Sequence, residues 1–275
     1  MSIAKRETLM KKTTIILFVL SLFTLPIYAA PLSPKNFPTD LLFAGKPVDA
    51  ACFSQLAEME FQINLKKCRE GNPKIKMTDA RADFIAKSFV GQEWEDQEYH
   101  SQGFDYYQAF PADNKQYWLY TINNGGGTGS FSSIGLAKRI NEETMHFKTI
   151  VGGDRCNGGI AEVDIKNQQL NYEVYLTPYE VVKLAKDKPR IEAYDNLSSC
   201  ASCCVAKALY TIENSSAQPI LQSVKFDDLT LPEQGSHQAC FNKLFSSYVA
   251  KGKTKLDVAA INQFAIEFNQ QCVKG

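Results

Sequence analysis

The chain has 275 residues, with 30 basic and 30 acidic side chains, and is 44% apolar and 11% aromatic. So balanced a charge leaves no electrostatic footprint for nucleic acid, and a nucleic-acid partner is not expected. The length suits one large domain or two small ones with a full core, and eight cysteines point to a compartment where disulfides persist.

The first thirty residues differ from the rest. Lys5, Arg6, Lys11 and Lys12 precede an apolar run from Ile15 to Leu25, which Pro26 breaks before Ile27-Tyr28-Ala29-Ala30. A basic, then apolar, then small-residue order is that of a cleaved secretory signal. The run spans eleven residues, short of the roughly twenty that cross a bilayer. A cut after Ala29 is expected, because a cut after Ala30 sets Pro31 beside the scissile bond. Met10 opens a more compact signal than Met1, so either can be the start. The first cysteine is Cys52, far from the cut, which argues against a lipid anchor. Removing residues 1–29 leaves 246 of the 275, with 26 basic and 29 acidic residues, net −3. The expectation is a secreted or periplasmic protein with no membrane span after signal removal.

Residues 30–48 carry Pro31, Pro34, Pro38 and Pro47 and read as an extended lead-in. A short helix is expected from Asp49 to Met59, with Cys52, Leu56 and Met59 on one side. Phe61 to Leu65 alternates like a strand and stops at Gly71-Asn72-Pro73. From about residue 84 the pattern turns β-rich. Phe104–Phe110, Tyr117–Asn123, Ser130–Ile140, Phe147–Val151, Ile160–Ile165 and Leu170–Leu176 are rich in β-branched and aromatic residues bounded by turn residues. In the last of these Leu170, Tyr172, Val174 and Leu176 share one face and Asn171, Glu173 and Tyr175 the other, the alternation of a half-buried strand. Thr177-Pro178-Tyr179-Glu180 has the form of a capping box with proline in the first turn, opening a helix that stops near Lys188-Pro189. Val205–Glu213 and Ile220–Phe226 form a further hairpin across Asn214-Ser215-Ser216. Ser236 is expected to cap a helix through Tyr248, and after Lys251-Gly252-Lys253 a last helix carries Val258, Ile261, Ala265, Phe268 and Cys272 on one stripe. The fold class is therefore α+β: a central antiparallel sheet with a short N-terminal helix and a C-terminal helical hairpin, stabilised by disulfides. Residues 49–230 form the β-rich body, with residues 231–275 packed on the same domain.

Three segments look unsuited to mere connection. Asn123 to Ser130 holds Gly125, Gly126, Gly127 and Gly129. Glycines can supply positive φ to a hairpin loop or bare backbone N–H groups to a ligand. The segment lacks the Gly-Lys-Ser/Thr ending of a phosphate loop. Gly152 to Gly159 surrounds Cys156 with Asp154, Arg155 and Asn157. Cys156 reads first as a half-cystine; beside Arg155 it is otherwise a candidate low-pKa thiolate. A nucleophile also needs a base, and His100, His146 and His237 sit in no recognisable cysteine-enzyme motif. Cys200-Ala201-Ser202-Cys203-Cys204 can hold structural disulfides, a metal or a redox pair. The expected pairs are Cys52 with Cys68, Cys240 with Cys272, and Cys156 with the 200–204 cluster, Cys203 and Cys204 taking different partners. Glu93, Glu95, Asp96 and Glu98 near Trp94 and His100 are candidate glycosidase carboxylates, or solvated surface.

No metal or cofactor is implied. The sequence favours an exported binding or inhibitor-like protein for an unknown protein or small-molecule partner. Its interaction surface is expected at the three loops, with Asn123, Asn124, Gly126, Asp154, Arg155 and Asn157 as contact residues and Tyr117, Trp118, Tyr120 and Phe131 adding aromatic area. The alternative is an extracytoplasmic hydrolase with a cysteine or carboxylate site.

Overall fold

Alternation and turn chemistry divide the chain into many short strands and few helices. In chain order the strands are β1 (Tyr28–Ala29), β2 (Leu42–Phe43), β3 (Lys46–Pro47), β4 (Glu60–Asn64), β5 (Ile75–Thr78), β6 (Val90–Asp96), β7 (Ser101–Pro111), β8 (Gln116–Asn124), β9 (Phe131–Arg139), β10 (Thr144–Asp154), β11 (Ile160–Lys166), β12 (Gln169–Leu176), β13 (Ala206–Glu213), β14 (Pro219–Phe226) and β15 (Lys255–Asp257). The helices are α1 (Leu65–Arg69), α2 (Ala82–Ala86), α3 (Pro178–Lys183), α4 (Ser236–Ala250) and α5 (Val258–Phe268). The computed structural model describes residues 28–29, 31–33, 37–54, 60–69, 74–185, 196–213, 218–233 and 235–273. Residues 1–27 of the expected signal 1–29, positions Leu56 and Met59, the Gly71-Asn72-Pro73 break, the helix end near Lys188-Pro189 and the Asn214-Ser215-Ser216 turn lie outside them. The last two residues of that expected signal, Tyr28 and Ala29, form β1 and pair with β11; a cut after Ala29 would remove β1.

One central sheet was expected, and two large antiparallel sheets are found. Seven strands run in the order β4-β10-β9-β8-β7-β6-β5 and six in the order β1-β11-β12-β13-β14-β15, with β2 and β3 a separate hairpin. The chain changes sheets after β10. Gly158 has a φ of 75°, and beyond it the Ile160 N–H donates to Ser132 Oγ at 2.7 Å instead of extending the first ladder. Alternation within a strand tells which face is buried, and it is silent on which sheet the strand joins.

Local signals account for the connections. Between β11 and β12, Asn167 and Gln168 both have positive φ, 52° and 63°, the pairing a type I′ hairpin demands. Thr177 Oγ1 accepts from the Glu180 N–H at 3.3 Å and Glu180 Oε2 accepts from the Thr177 N–H at 2.8 Å, so the capping box forms. The expected helix from Asp49 is a 3₁₀ turn over Ala50–Phe53, with Asp49 Oδ1 accepting from the Ala51 N–H at 3.0 Å. Ser236 is the first helical residue of α4 and not its cap; Gly235 holds the cap position. Asn196 Oδ1 accepts from the His237 N–H at 3.1 Å, so a side chain from a distant loop serves this helix start. The C-terminal helices are joined through β15, which pairs with β14, so they are not a plain helical hairpin. Phe241 on α4 meets Phe264 on α5 edge to face at 5.7 Å between centroids.

The core has two layers. Phe110, Trp118, Ile134 and Leu136 of the larger sheet pack with Leu170, Tyr172, Val174 and Leu176 of β12 and with the aromatic side chains of α4 and α5. On the other face of the larger sheet, Tyr107, Ala109, Leu119 and Phe147 lie under Phe37, Leu41, Val48 and Phe53. The proline-punctuated lead-in is thus a cover for the sheet. β7 is buried on both faces over Asp105–Phe110, which explains its near-continuous apolar run.

Four disulfides are formed: Cys52–Cys68, Cys156–Cys204, Cys200–Cys203 and Cys240–Cys272. Cys272 sits in a single π turn, Asn269–Val273, that extends α5. Among the described residues no helix is long and apolar enough to cross a membrane. Disulfides without such a helix are consistent with an extracytoplasmic location.

Candidate functional site

β8, β9 and β10 bring the glycine segment and the Cys156 segment to one end of the larger sheet. Phe131 pairs with Asn123 on one side and Asp154 on the other. The two loops are bonded to each other. The Ser130 N–H donates to Asp154 Oδ1 at 2.9 Å, and the Arg155 N–H donates to the Ser130 carbonyl at 3.2 Å. The third loop joins through the Cys156–Cys204 disulfide, and the Cys156 N–H donates to the Ala201 carbonyl at 3.2 Å. The β6–β7 turn lies at the same end, since the Gly126 backbone approaches Ser101.

Within this cluster some residues shape the loops and others face outward. Asn124 works inward: its Nδ2 donates to the carbonyls of Gly127 and Gly129, and its Oδ1 accepts from the Gly126 N–H at 2.8 Å. Asp154 is a joint. Its carboxylate accepts from Arg155 Nε at 3.0 Å and Nη2 at 3.2 Å as well as from Ser130. Those bonds, the one to Arg155 foremost, hold its pKa below the usual carboxylate value. Asp154 and Asn157 exchange backbone hydrogen bonds of 3.0 and 2.9 Å, closing a turn in which Arg155 has a φ of 49°. The Arg155 and Asn157 side chains are exposed.

The glycines divide in the same way. A Cβ on Gly153 would lie 2.0 Å from the Asn157 carbonyl oxygen, and one on Gly159 would lie 2.4 Å from that of Arg155. Those glycines are required by the turn. Gly126 needs its φ of 84°. Gly125 and Gly127 have nothing within 4 Å of an added Cβ and no left-handed φ, so neither packing nor conformation demands glycine there.

Of the aromatic residues expected beside the loops, only Phe131 stands there. Trp118 is in the core, Tyr117 pairs with Pro111 at the far end of the sheet, and the half-buried Tyr120 donates its hydroxyl to the Ile160 carbonyl at 3.3 Å. Tyr99, 75% exposed in the β6–β7 turn, is a large aromatic at the loop end that sequence reasoning passed over; its acidic, polar turn gave no alternation to read.

The acidic run does not converge. Glu93 pairs with Arg81 at 3.1 Å, Glu98 with Lys74 at 2.5 Å, and Asp96 Oδ1 accepts from the N–H groups of Glu98 and Tyr99 at 2.8 and 3.1 Å. A different carboxylate is the buried one. Asp105, 9% exposed on β7, accepts from Trp94 Nε1 at 2.9 Å and from Ser54 Oγ. Burial raises its pKa against both hydrogen bonds, and the Asp49 charge adds to the rise. Asp49 accepts from Gln92 Nε2 at 3.1 and 3.2 Å and lines a recess of about 340 Å³ with Phe43, Lys46, Val48, Leu65 and Gln92. An acid inside the aromatic strand Phe104-Asp105-Tyr106-Tyr107 was the signal for this site.

No cysteine is free, so Cys156 carries no thiolate in this structure. Among the described residues no group of three or more His, Cys, Asp or Glu side chains is placed to hold a metal. Comparison with known protein families, curated proteins and solved structures gives no match.

Proposed function

We propose that this is an exported, disulfide-stabilised binding protein of the inhibitor-like kind, and that its contact surface is the loop end formed by residues 123–130, 152–159 and 199–204. Export rests on the basic, apolar and small-residue order of the first thirty residues and on the complete pairing of the cysteines. The observation that carries the binding reading is the pair Gly125 and Gly127. Alanine at such positions stabilises a fold by restricting the unfolded chain, so the fold alone gives no reason for glycine. A partner that approaches the backbone closely does. Loops fixed on a rigid sheet are common binding positions, and these are fixed by Asn124, Asp154 and a disulfide. In this reading Arg155, Asn157 and the N–H groups of the bare loop make contact, while Asn124 and Asp154 position them.

The test is affinity capture from the extracytoplasmic fraction of the source cells, comparing wild type with Gly127→Trp and Arg155→Ala. Both variants are expected to keep the wild-type melting temperature and lose the captured partner. Unchanged capture by both overturns the assignment of the surface. Export is checked by N-terminal sequencing, which should begin at Ala30; an intact Met1 or Met10 on cytoplasmic protein refutes it.

A further inference from the structure

The four disulfides are unequal in what they do for the chain. Three close long loops, with separations of 16, 48 and 32 residues. Cys200–Cys203 spans a separation of 3, and a bond that closes so short a loop removes little freedom from the unfolded chain. It also holds the most exposed half-cystine, since Cys68, Cys204, Cys240 and Cys272 are half-buried. Of the eight half-cystines only Cys200 is exposed, whereas its partner Cys203 is 7% exposed.

The surrounding backbone also ties this loop. The Cys203 N–H donates to the Cys200 carbonyl at 3.0 Å, closing the turn. The neighbouring residue Cys204 is tied to Cys156, and the Ala201 carbonyl accepts from the Cys156 N–H. Two sulfurs on so constrained a turn stay close after reduction, which favours re-formation of the bond.

We propose that Cys200–Cys203 is a thiol–disulfide exchange site whose substrate is a dithiol protein and whose attacked atom is Cys200 Sγ. A thiolate of the dithiol attacks Cys200 Sγ, forming a mixed disulfide and breaking the bond to Cys203. The electron pair passes to Cys203 Sγ, which takes a proton from solvent. The second thiol of the partner loses its proton and attacks the first, so the partner leaves as a disulfide and Cys200 leaves as a thiolate that is then protonated. Two electrons and two protons have moved from the partner to this chain. Access decides which sulfur is attacked, and only one is accessible here. A monothiol lacks the second step: its mixed disulfide reverts when Cys203 Sγ attacks Cys200 Sγ and expels the monothiol as a thiolate, and it persists only if Cys203 is alkylated first.

The experiment uses the full native protein, with dithiothreitol as the dithiol and glutathione as the monothiol, read by alkylation and peptide mass mapping. In a time course at fixed dithiothreitol, Cys200–Cys203 is expected to be reduced about tenfold faster than the other three bonds, with near-ultraviolet circular dichroism unchanged. Glutathione with iodoacetamide present to trap Cys203 is expected to leave a glutathionyl adduct on Cys200 and the alkyl group on Cys203. Reduction of this bond only in step with the others, or a glutathionyl adduct on Cys203, overturns the proposal. A second arm compares the single thiols in native variants. Cys203→Ser, which leaves Cys200, should react with iodoacetamide about tenfold faster than Cys200→Ser, which leaves Cys203. Equal rates also overturn it.

Discussion

Removing the Cys156–Cys204 bond should cost the fold far more than removing Cys200–Cys203, although the two lie side by side. The separations are 48 and 3 residues. In the loop-closure description the first bond contributes about 4 kcal/mol and the second about 2 kcal/mol or less at 25 °C. The same treatment gives about 3 kcal/mol for Cys52–Cys68 and nearly 4 kcal/mol for Cys240–Cys272, from separations of 16 and 32. The structure adds a second cost for Cys156–Cys204. It locks the 199–204 loop to the 152–159 loop, whose turn contains a non-glycine residue at positive φ, Arg155. Each pair is to be replaced by alanines and the variant unfolded in guanidinium chloride, with stability taken from the midpoint and slope. The Cys156→Ala/Cys204→Ala variant should lie at least about 2 kcal/mol below Cys200→Ala/Cys203→Ala. Equal losses would refute the reasoning, since chain closure would then not govern what these bonds contribute.

Two further outcomes follow from the same coordinates. Asp105 has a folded pKa raised above its ordinary value by burial, so the folded state binds a proton more tightly than the unfolded one. Its stabilising protonation is complete below the unfolded pKa and is lost as pH rises through the folded pKa, each unit of rise amounting to about 1.4 kcal/mol. Asp105→Asn, whose amide can accept from Trp94 Nε1 and donate to Ser54 Oγ, should remove that slope in urea titrations at pH 3–8, whereas Asp105→Ala should cost about 1–3 kcal/mol at every pH by stranding both partners; a slope retained in the asparagine variant refutes the assignment. Gly153→Ala must push the Asn157 carbonyl aside from 2.0 Å and should lose about 1–3 kcal/mol, while Gly127→Ala should be neutral or gain up to about 1 kcal/mol, both read as midpoint shifts in thermal unfolding; loss in both refutes the separation of required from bare glycines.

What was legible in the sequence was local. The strand Leu170–Leu176 alternates strictly, and its two faces are buried and half-buried as the pattern says. The capping box at Thr177 and Glu180 is a four-residue signal and forms as written. What was not legible depended on long-range packing. The split into two sheets is accompanied by a hydrogen bond between Ile160 and Ser132, 28 residues apart, a contact that no local pattern announces. β15 is three residues of Lys-Leu-Asp, too short for any period to show. Sequence gives the chemistry of Asn124 and not its direction; in the fold its amide makes three bonds inside its own loop. Asp105 stands out as an acid in an aromatic strand, but its burial depends on Ser54 and Trp94 from other segments, which no local pattern supplies.

The proposed contact surface is where the features that contribute least to the fold collect. Gly152, Gly153 and Gly159 are forced by contacts with Ser133, Asn157 and Arg155. Three disulfides are accounted for by the chain they close. Gly125, Gly127 and Cys200–Cys203 are left over, and all of them belong to loops tied together through Ser130, Asp154, Arg155, Ala201 and Cys156. Their place at one end of one sheet is what the proposed contact surface rests on. Substitutions at Phe147, Tyr172 or Phe264 should then register in unfolding free energy, substitutions at Gly127 or Arg155 in binding with unfolding nearly unchanged, and loss of Cys200–Cys203 in thiol exchange with a stability cost of about 2 kcal/mol or less. A loop-end variant that alters only stability would remove the distinction on which the assignment depends.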